Sequence, residues 1–252
     1  MTSHVKEKLT FSAIVPAYNE EKYISRCLES IFSLEDATGL REVIVVNNAS
    51  TDETAEIVKG SFPEVKLINE PRKGLTIAYN HGASKAEGEI LLFVDADMIL
   101  PPDHLRKLSR EFDRDPELVA LSGPYVYKDG GRIRELLIRL MYLLIVMPGE
   151  LVFNRFLNLG ANVASGNSAM RRGAFQKIQG FNEELFYGCE VDIASRIRSL
   201  GKVRFRHRLS AESSSRRLKK EGNLKVGLRH LLSTLWPLFF GKKFSKGCID
   251  VR

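Results

Sequence analysis

The sequence predicts an α/β fold with a mostly parallel sheet flanked by helices, and three observations predict it. Short apolar runs at 11–15, 43–46, 65–68 and 90–94 alternate with stretches of helical periodicity, the trace that repeated strand–helix units leave in a chain. The run Ile90-Leu91-Leu92-Phe93-Val94 is unbroken, which suits a strand covered on both faces. It stops at Asp95-Ala96-Asp97, and open α/β sheets bind their ligands at the carboxyl ends of strands.

The elements follow in order. Phe11–Val15 reads as a first strand stopped by Pro16. Ile24, Cys27, Leu28, Ile31 and Phe32 then share one face of an amphipathic helix. Val43–Val46 is a second, central strand, and Ser50 with Glu53 has capping-box spacing, which predicts a helix starting there. Val65–Ile68 is a third strand. Over 76–86 the small residues Ala78, Gly82, Ala83 and Ala86 line one side of a helix, so that it can pack closely on a sheet. Pro101-Pro102-Asp103 opens another helix, since proline is tolerated in a first turn. Val119–Ser122 reads as a strand, 132–157 as an interrupted helix, and 161–170 as a small, polar, cleft-lining strand or turn rather than packed core. Gly180–Glu183 is a turn, and Glu190–Leu200 a helix ended by Gly201.

Composition sets bounds. The 252 residues suffice for one large domain with a sizeable core. The net charge of +7 is concentrated in 196–246. A solvated basic surface, an anionic membrane surface and an anionic substrate all fit that excess. Nucleic acid is not expected as a partner, because no binding motif accompanies the charge. The three cysteines, Cys27, Cys189 and Cys248, are odd in number and lack zinc spacing, which predicts free thiols in a reducing, cytoplasmic setting. Residues 1–10 lack the apolar core of a signal peptide. The apolar segment 136–157 is interrupted by Arg139, Pro148-Gly149, Glu150 and Arg155, and 231–240 falls short of the roughly 20 residues a span needs. Internal packing accounts for both segments, with peripheral contact at a membrane face as the alternative.

The chemistry centres on Asp95 and Asp97. Two carboxylates at a buried strand end are costly without a partner, and a hard divalent cation, Mg²⁺ or Mn²⁺, carrying a phosphorylated ligand suits them. Neither G-x-G-x-x-G after the first strand nor G-x-x-x-x-G-K-[ST] is present, so a dinucleotide oxidoreductase and a P-loop NTPase are not supported.

A longer ordered set runs from Val15-Pro16-Ala17-Tyr18-Asn19-Glu20-Glu21 through Asn48-Ala49-Ser50-Thr51-Asp52, Lys73-Gly74, Asn80 and Gly82. It continues with Gly88-Glu89, Asp95-Ala96-Asp97, Gly180-Phe181 and Glu190-Val191-Asp192. Over residues 9–210 this set resembles the family 2 glycosyltransferases, whose GT-A fold is a Rossmann-like sheet flanked by helices. The resemblance implies a metal-dependent, hexosyltransferase-like enzyme using a UDP- or GDP-linked sugar, with a glycan or lipid-carrier acceptor. It implies a transferase domain over 1–212, with a nucleotide-binding half at about 9–100 and an acceptor half at about 101–212, followed by a basic, partly apolar segment at 213–252. Pro16, Ala17, Tyr18, Glu20 and Asn48 would hold the nucleoside, and Lys73 the base or phosphate. Asp95 would meet ribose or metal, and Asp97 the metal directly. Asn167, with Arg171-Arg172, resembles the segment leading to the acceptor. Arg216 and Arg217 stand where a basic loop would cover the diphosphate.

Some positions depart from the pattern. Asn47-Asn48 stands where many relatives carry two aspartates, Tyr79 where many carry arginine, Ile99 where relatives acting on dolichyl phosphate carry glutamine, and Cys189-Glu190 where two acids are usual. Inverting transfer needs a carboxylate to take the acceptor's proton. Glu190 and Asp192 are two residues apart and do not share a helix face. Glu190 lies on the side of Ile193 and Ile197, and Asp192 on the side of Arg196, so Glu190 is the preferred base of the pair. For several residues a structural role is the alternative: Asn19 and Glu20 suit the start of the first helix, Asp52 a helix start, Lys73 a solvated loop, and His207 the surface. Two other functions compete: a metal-dependent nucleotidyltransferase, and a membrane-associated scaffold on a retired transferase fold.

Overall fold

The computed structural model describes residues 8–127, 163, 165–185 and 188–216. The segments 136–157 and 231–240, Cys248 and Arg217 lie outside the described residues. Among the described residues no helix is long and apolar enough to cross a membrane.

The first half is three strand–helix steps and a fourth strand: β1 (Phe11–Ala17), α1 (Ile24–Phe32), β2 (Leu40–Asn47), α2 (Thr54–Ser61), β3 (Lys66–Asn69), α3 (Leu75–Lys85) and β4 (Ile90–Val94). The second half runs through β5 (Met98–Ile99), α4 (His104–Arg114), β6 (Leu118–Ser122), β7 (Tyr125–Val126) and β8 (Asn167–Arg171). It ends with α5 (Arg172–Lys177), α6 (Cys189–Ile197), β9 (Lys202–Phe205) and β10 (Ala211–Ser213). A seven-stranded sheet has the order β3-β2-β1-β4-β8-β6-β9. β1 to β4 are parallel, and β8 enters antiparallel between β4 and β6. A three-stranded sheet has the order β5-β10-β7. β10 runs across the expected boundary at 212.

Apolar alternation divides the core between the two faces of the large sheet, as the two-residue period of a strand requires. Ala13, Val15, Val45, Leu92 and Val94 pack beneath α1 and α4. Ile14, Ile44, Val46, Leu91 and Phe93 pack beneath α3, α5 and α6. The small-residue side of α3 has a steric reason: a Cβ on Gly82 would stand 2.4 Å from Ile14 Cγ2. On the same face Tyr79, Phe93, Phe175 and Phe181 form an aromatic cluster, with ring centroids of 5.0 Å between Tyr79 and Phe93 and 5.5 Å between Tyr79 and Phe181.

Three local expectations are corrected. The Ser50–Glu53 capping box does not form: α2 starts at Thr54, and Ser50 Oγ instead accepts from Asn19 N at 3.2 Å. Phe32 leaves the buried face of α1, 37% exposed, and stacks on Phe62. Within 161–170, Asn167–Met170 is packed core in a central strand. Its polar side chains are buried because each finds an internal partner, as with Ser168 Oγ donating to Ser165 O at 3.2 Å.

Candidate functional site

The parallel register brings Ala17, Asn47 and Asn69 to one edge of the sheet, and the loops leaving that edge bond to one another. Asn19, at φ 53° in the left-handed region, accepts from Thr51 N on Oδ1 at 2.8 Å. Glu20 N donates to Thr54 Oγ1 at 2.8 Å and Glu21 N to Asp52 Oδ2 at 3.2 Å. Asp52 also accepts from Thr54 N at 3.1 Å, so it does start α2. Asn19 does not cap α1, which begins after Tyr23 without a side-chain cap.

Asn48 is committed to the next loop. Its Nδ2 donates to Glu70 O at 3.1 Å and Arg72 O at 2.7 Å, and its Oδ1 accepts from Gly74 N at 2.8 Å. An aspartate could not make the two donations, since an ionised carboxylate only accepts. This gives a physical reason for asparagine here. The loop so held carries Lys73, whose Nζ donates to Tyr18 Oη at 2.7 Å and lies 4.4 Å from that ring's centroid. Arg72 joins buried Glu70 to Glu183 at 3.1 and 3.0 Å, tying this loop to the one that leads into α6. The neighbouring guanidinium holds the Glu70 carboxyl below its usual range.

Asp95 and Asp97 follow β4 directly. Asp95 N donates to Gly166 O at 3.2 Å, and Asp95 Oδ1 accepts from Tyr79 Oη at 2.7 Å. Burial first, and the Asp95 charge second, push the Tyr79 phenol up, so it stays a donor. A Cβ on Gly166 would fall 2.1 Å from Asp95 Cγ, so only glycine allows this approach. Asp97 Oδ2 lies 3.2 Å from Arg216 Nη2. Arg216 Nη1 also donates to Glu20 Oε2 at 2.6 Å, its Nη2 to Glu20 Oε1, and its guanidinium carbon lies 4.6 Å from the Tyr23 ring centroid.

The second carboxylate group comes from α6. Ser165 Oγ donates to Glu190 Oε1 at 3.2 Å, and Cys189 Sγ to Glu190 Oε2 at 3.3 Å. The dipeptide Ser165-Gly166 therefore touches Glu190 with one residue and Asp95 with the other. Gly166 N donates to Tyr125 Oη at 2.9 Å. Desolvation, then the charges of Asp95 and Glu190, raise the Tyr125 phenol. Asp192 turns away to Arg196, 2.6 Å distant. Asn167 Nδ2 is spent on Pro124 O at 3.2 Å and Leu209 O at 2.8 Å. Arg171 and Arg172 lie at the opposite end of β8, where Arg171 pairs with Ile90 at the start of β4, and both bond backbone carbonyls. They are not brought to the site.

The glycosyl transferase family 2 model matches residues 12–179. The chain belongs to glycosyl transferase family 2. It is 33% identical over 122 residues to a hyaluronan synthase of Pasteurella multocida, a match that covers 47% of the chain and 12% of that enzyme. It is similar in structure to a mannosyltransferase of Pyrobaculum calidifontis in complex with GDP-Man and Mn²⁺, with TM-score 0.67, 21% identity, and 92% of this chain and 65% of that one covered. TarS 1–349 of S. aureus in complex with UDP-GlcNAc gives TM-score 0.64, 21% identity, and 82% and 58% coverage. These likenesses give this family 2 chain the GT-A fold.

Among the described residues no three His, Cys, Asp or Glu side chains form a ready metal cage. The donor set still fits a hard cation. Mg²⁺-type ions are held by one or two carboxylates together with substrate phosphates and water, and Asp95 and Asp97 supply two. Arg216 against Asp97 shows that a positive group is accommodated there. The buried thiols are not alternatives. Burial, then Asp97 and Asp95, push Cys27 up, and burial, then Glu190, push Cys189 up, which favours the neutral thiol in both.

Several basic side chains of the described part of this stretch are paired with acids. Arg204, Arg206 and Arg208 converge on buried Glu111, and Arg204 and Lys202 on Asp115. His207 is exposed and sits edge-on to Phe205. Tyr125, Ser165, Gly166 and the Arg72–Glu183 bridge were missed by sequence reasoning. Only the small, polar character of 161–170 pointed toward any of them.

Proposed function

We propose that this chain is an inverting glycosyltransferase moving a sugar from a UDP- or GDP-linked donor to a glycan or lipid-carrier acceptor, with Mg²⁺ or Mn²⁺ at Asp95 and Asp97. The observation that carries the reading is the Ser165-Gly166 junction, which sets Glu190 and Asp95 on either side of one turn. Family membership supports it, as do the GDP-Man and Mn²⁺ named for one structural relative and the UDP-GlcNAc named for another.

In this reading Pro16, Ala17, Tyr18 and Glu20 border the nucleoside, Asn48 fixes the loop that aims Lys73, and Asn167 anchors the acceptor side. Arg216 faces the diphosphate. The cation, when bound, neutralises charge on the departing nucleoside diphosphate. Glu190 accepts the acceptor hydroxyl's proton while that oxygen attacks the anomeric carbon from the face opposite the leaving group, so configuration inverts. Ser165 and Cys189 hold the carboxylate still for that transfer. The test is incubation with UDP- and GDP-sugars and Mn²⁺, following nucleoside diphosphate release and the anomer formed. Release of pyrophosphate from a nucleoside triphosphate, or retention of configuration, would overturn it.

A further inference from the structure

We propose that Arg216 is the resident counter-cation of the donor site, and that a divalent cation displaces it from Asp97 when the donor loads. The inference rests on the reading of Asp97 as a metal ligand. The fold brings the two together: β10 pairs antiparallel with β5, Ser213 opposite Met98, so the chain three residues past Ser213 returns to the residue just before Met98. There Arg216 makes a forked bond to Glu20, faces Tyr23 and reaches Asp97 at 3.2 Å. Glu20 is 2% exposed, so it keeps its guanidinium partner firmly, because an unpaired buried carboxylate is costly. Burial would lower the basicity of Arg216, but Glu20 and Asp97 more than offset it.

A metal on Asp97 would sit about 2 Å from the oxygen that Arg216 faces. Two positive groups that close repel strongly away from bulk water. The guanidinium therefore leaves Asp97 when a cation arrives. The diphosphate offers it a new acceptor, since a guanidinium fork matches phosphate oxygens. Bare cation then binds weakly, and cation and donor bind together rather than metal first.

The test titrates donor-free protein with Mn²⁺, following free ion by electron paramagnetic resonance, and repeats the titration with UDP. Arg216→Gln is expected to bind Mn²⁺ about tenfold tighter than the parent without UDP, with the gap narrowing when UDP is present. Glu20→Gln combined with Arg216→Gln should keep that gain, which separates release of Asp97 from capture of Mn²⁺ by a freed Glu20. Arg216→Lys should bind like the parent. If both glutamine variants bind Mn²⁺ no tighter than the parent while Asp97→Asn abolishes binding, Arg216 does not compete, and the metal reading stands without it. If Asp97→Asn leaves Mn²⁺ binding with UDP unchanged, the metal reading itself fails and this proposal falls with it.

Discussion

From β1 to β4 every strand runs the same way, and each loop at the carboxyl edge bonds to the loop beside it, Asn19 to Thr51 and Asn48 to Arg72. Across β4 the construction changes. β8 enters antiparallel, its buried Asn167 bonds to Pro124 and Leu209, and the acid-bearing helix α6 is tied back through Ser165 and the aromatic cluster. The first half assembles its site from neighbours in sequence order. The second assembles its own from segments far apart in the chain. The proposed chemistry sits at the seam, where Asp95 meets Gly166 and Asp97 meets Arg216, with Glu190 held beside them by Ser165.

Removing a group at the seam tests whether the two halves act as one site. Asp97→Ala should lower kcat/KM for sugar transfer by more than about 10³-fold, since leaving-group neutralisation is worth several kcal/mol, with thermal stability near the parent's. A loss below tenfold, measured by nucleoside diphosphate release under saturating Mn²⁺, would take the acid out of the reaction. Glu190→Gln should cost roughly 10²- to 10³-fold in kcat, the ordinary yield of a general base, while donor KM stays level. A matching rise in donor KM would make Glu190 a binding group. Asp192→Asn should keep most of the activity, because its carboxylate is engaged by Arg196.

His104, in α4, sharpens the comparison through stability. It is buried, and among the described residues its Nδ1 has no hydrogen-bond partner. Burial, then Lys107, lower it from 6.5 to about 4, against a smaller opposing effect of Asp103. Below pH 6.5 the unfolded chain takes up a proton that the folded chain refuses until about pH 4. Stability therefore falls as pH drops through that window, by roughly 3 kcal/mol in all. Urea unfolding of His104→Leu against the parent at pH 7, 5.5 and 4.5 should show the slope flatten in the variant. Equal slopes would mean the imidazole is solvated. Glu70 and Asp52 act lower: both carboxyls are held below their usual values, so their contribution is lost only on further acidification.

How much of this was legible follows the same division. Strands β1, β2 and β4 announce themselves, because burial on both faces favours apolar runs, and β4, apolar throughout, spans Ile90–Val94 as read. Asp95 and Asp97 were visible because carboxylates at such a strand end need a reason. The packing of α3 on the sheet was visible in its small residues. The second half leaves weaker marks. β8 is written Asn-Ser-Ala-Met-Arg, with no apolar run, because buried Asn167 finds partners in remote segments, at Pro124 O and Leu209 O, and Ser168 finds one at Ser165 O. The roles of Tyr125 and Arg216 depend on β10 pairing with both β5 and β7, a non-local event without a local signature. The capping box failed for a related reason: Ser50 was claimed by Asn19 of a neighbouring loop, a competitor outside its own segment.

The smallest expected effect tests the first half's loop-to-loop wiring. Asn48→Asp keeps size and shape but turns two donations into two carboxylate–carbonyl contacts, at Glu70 O and Arg72 O. Buried polar groups left unmatched cost about 1–3 kcal/mol each, although the loop can relax and Gly74 N still finds an acceptor at Oδ1. The net loss in unfolding free energy should be about 1–2 kcal/mol. Lys73 rides on the same loop, so the donor KM should rise several-fold while kcat holds. Asn47→Asp separates the positions. Among the described residues its Nδ2 bonds Asn69 Oδ1, at an exposed site, and its Oδ1 keeps the bond from Ser50 N, so that change should stay within about 0.5 kcal/mol. If the two substitutions behave alike, in stability and in donor KM, Asn48 does not organise the loop, and the two halves differ less than their hydrogen bonds suggest.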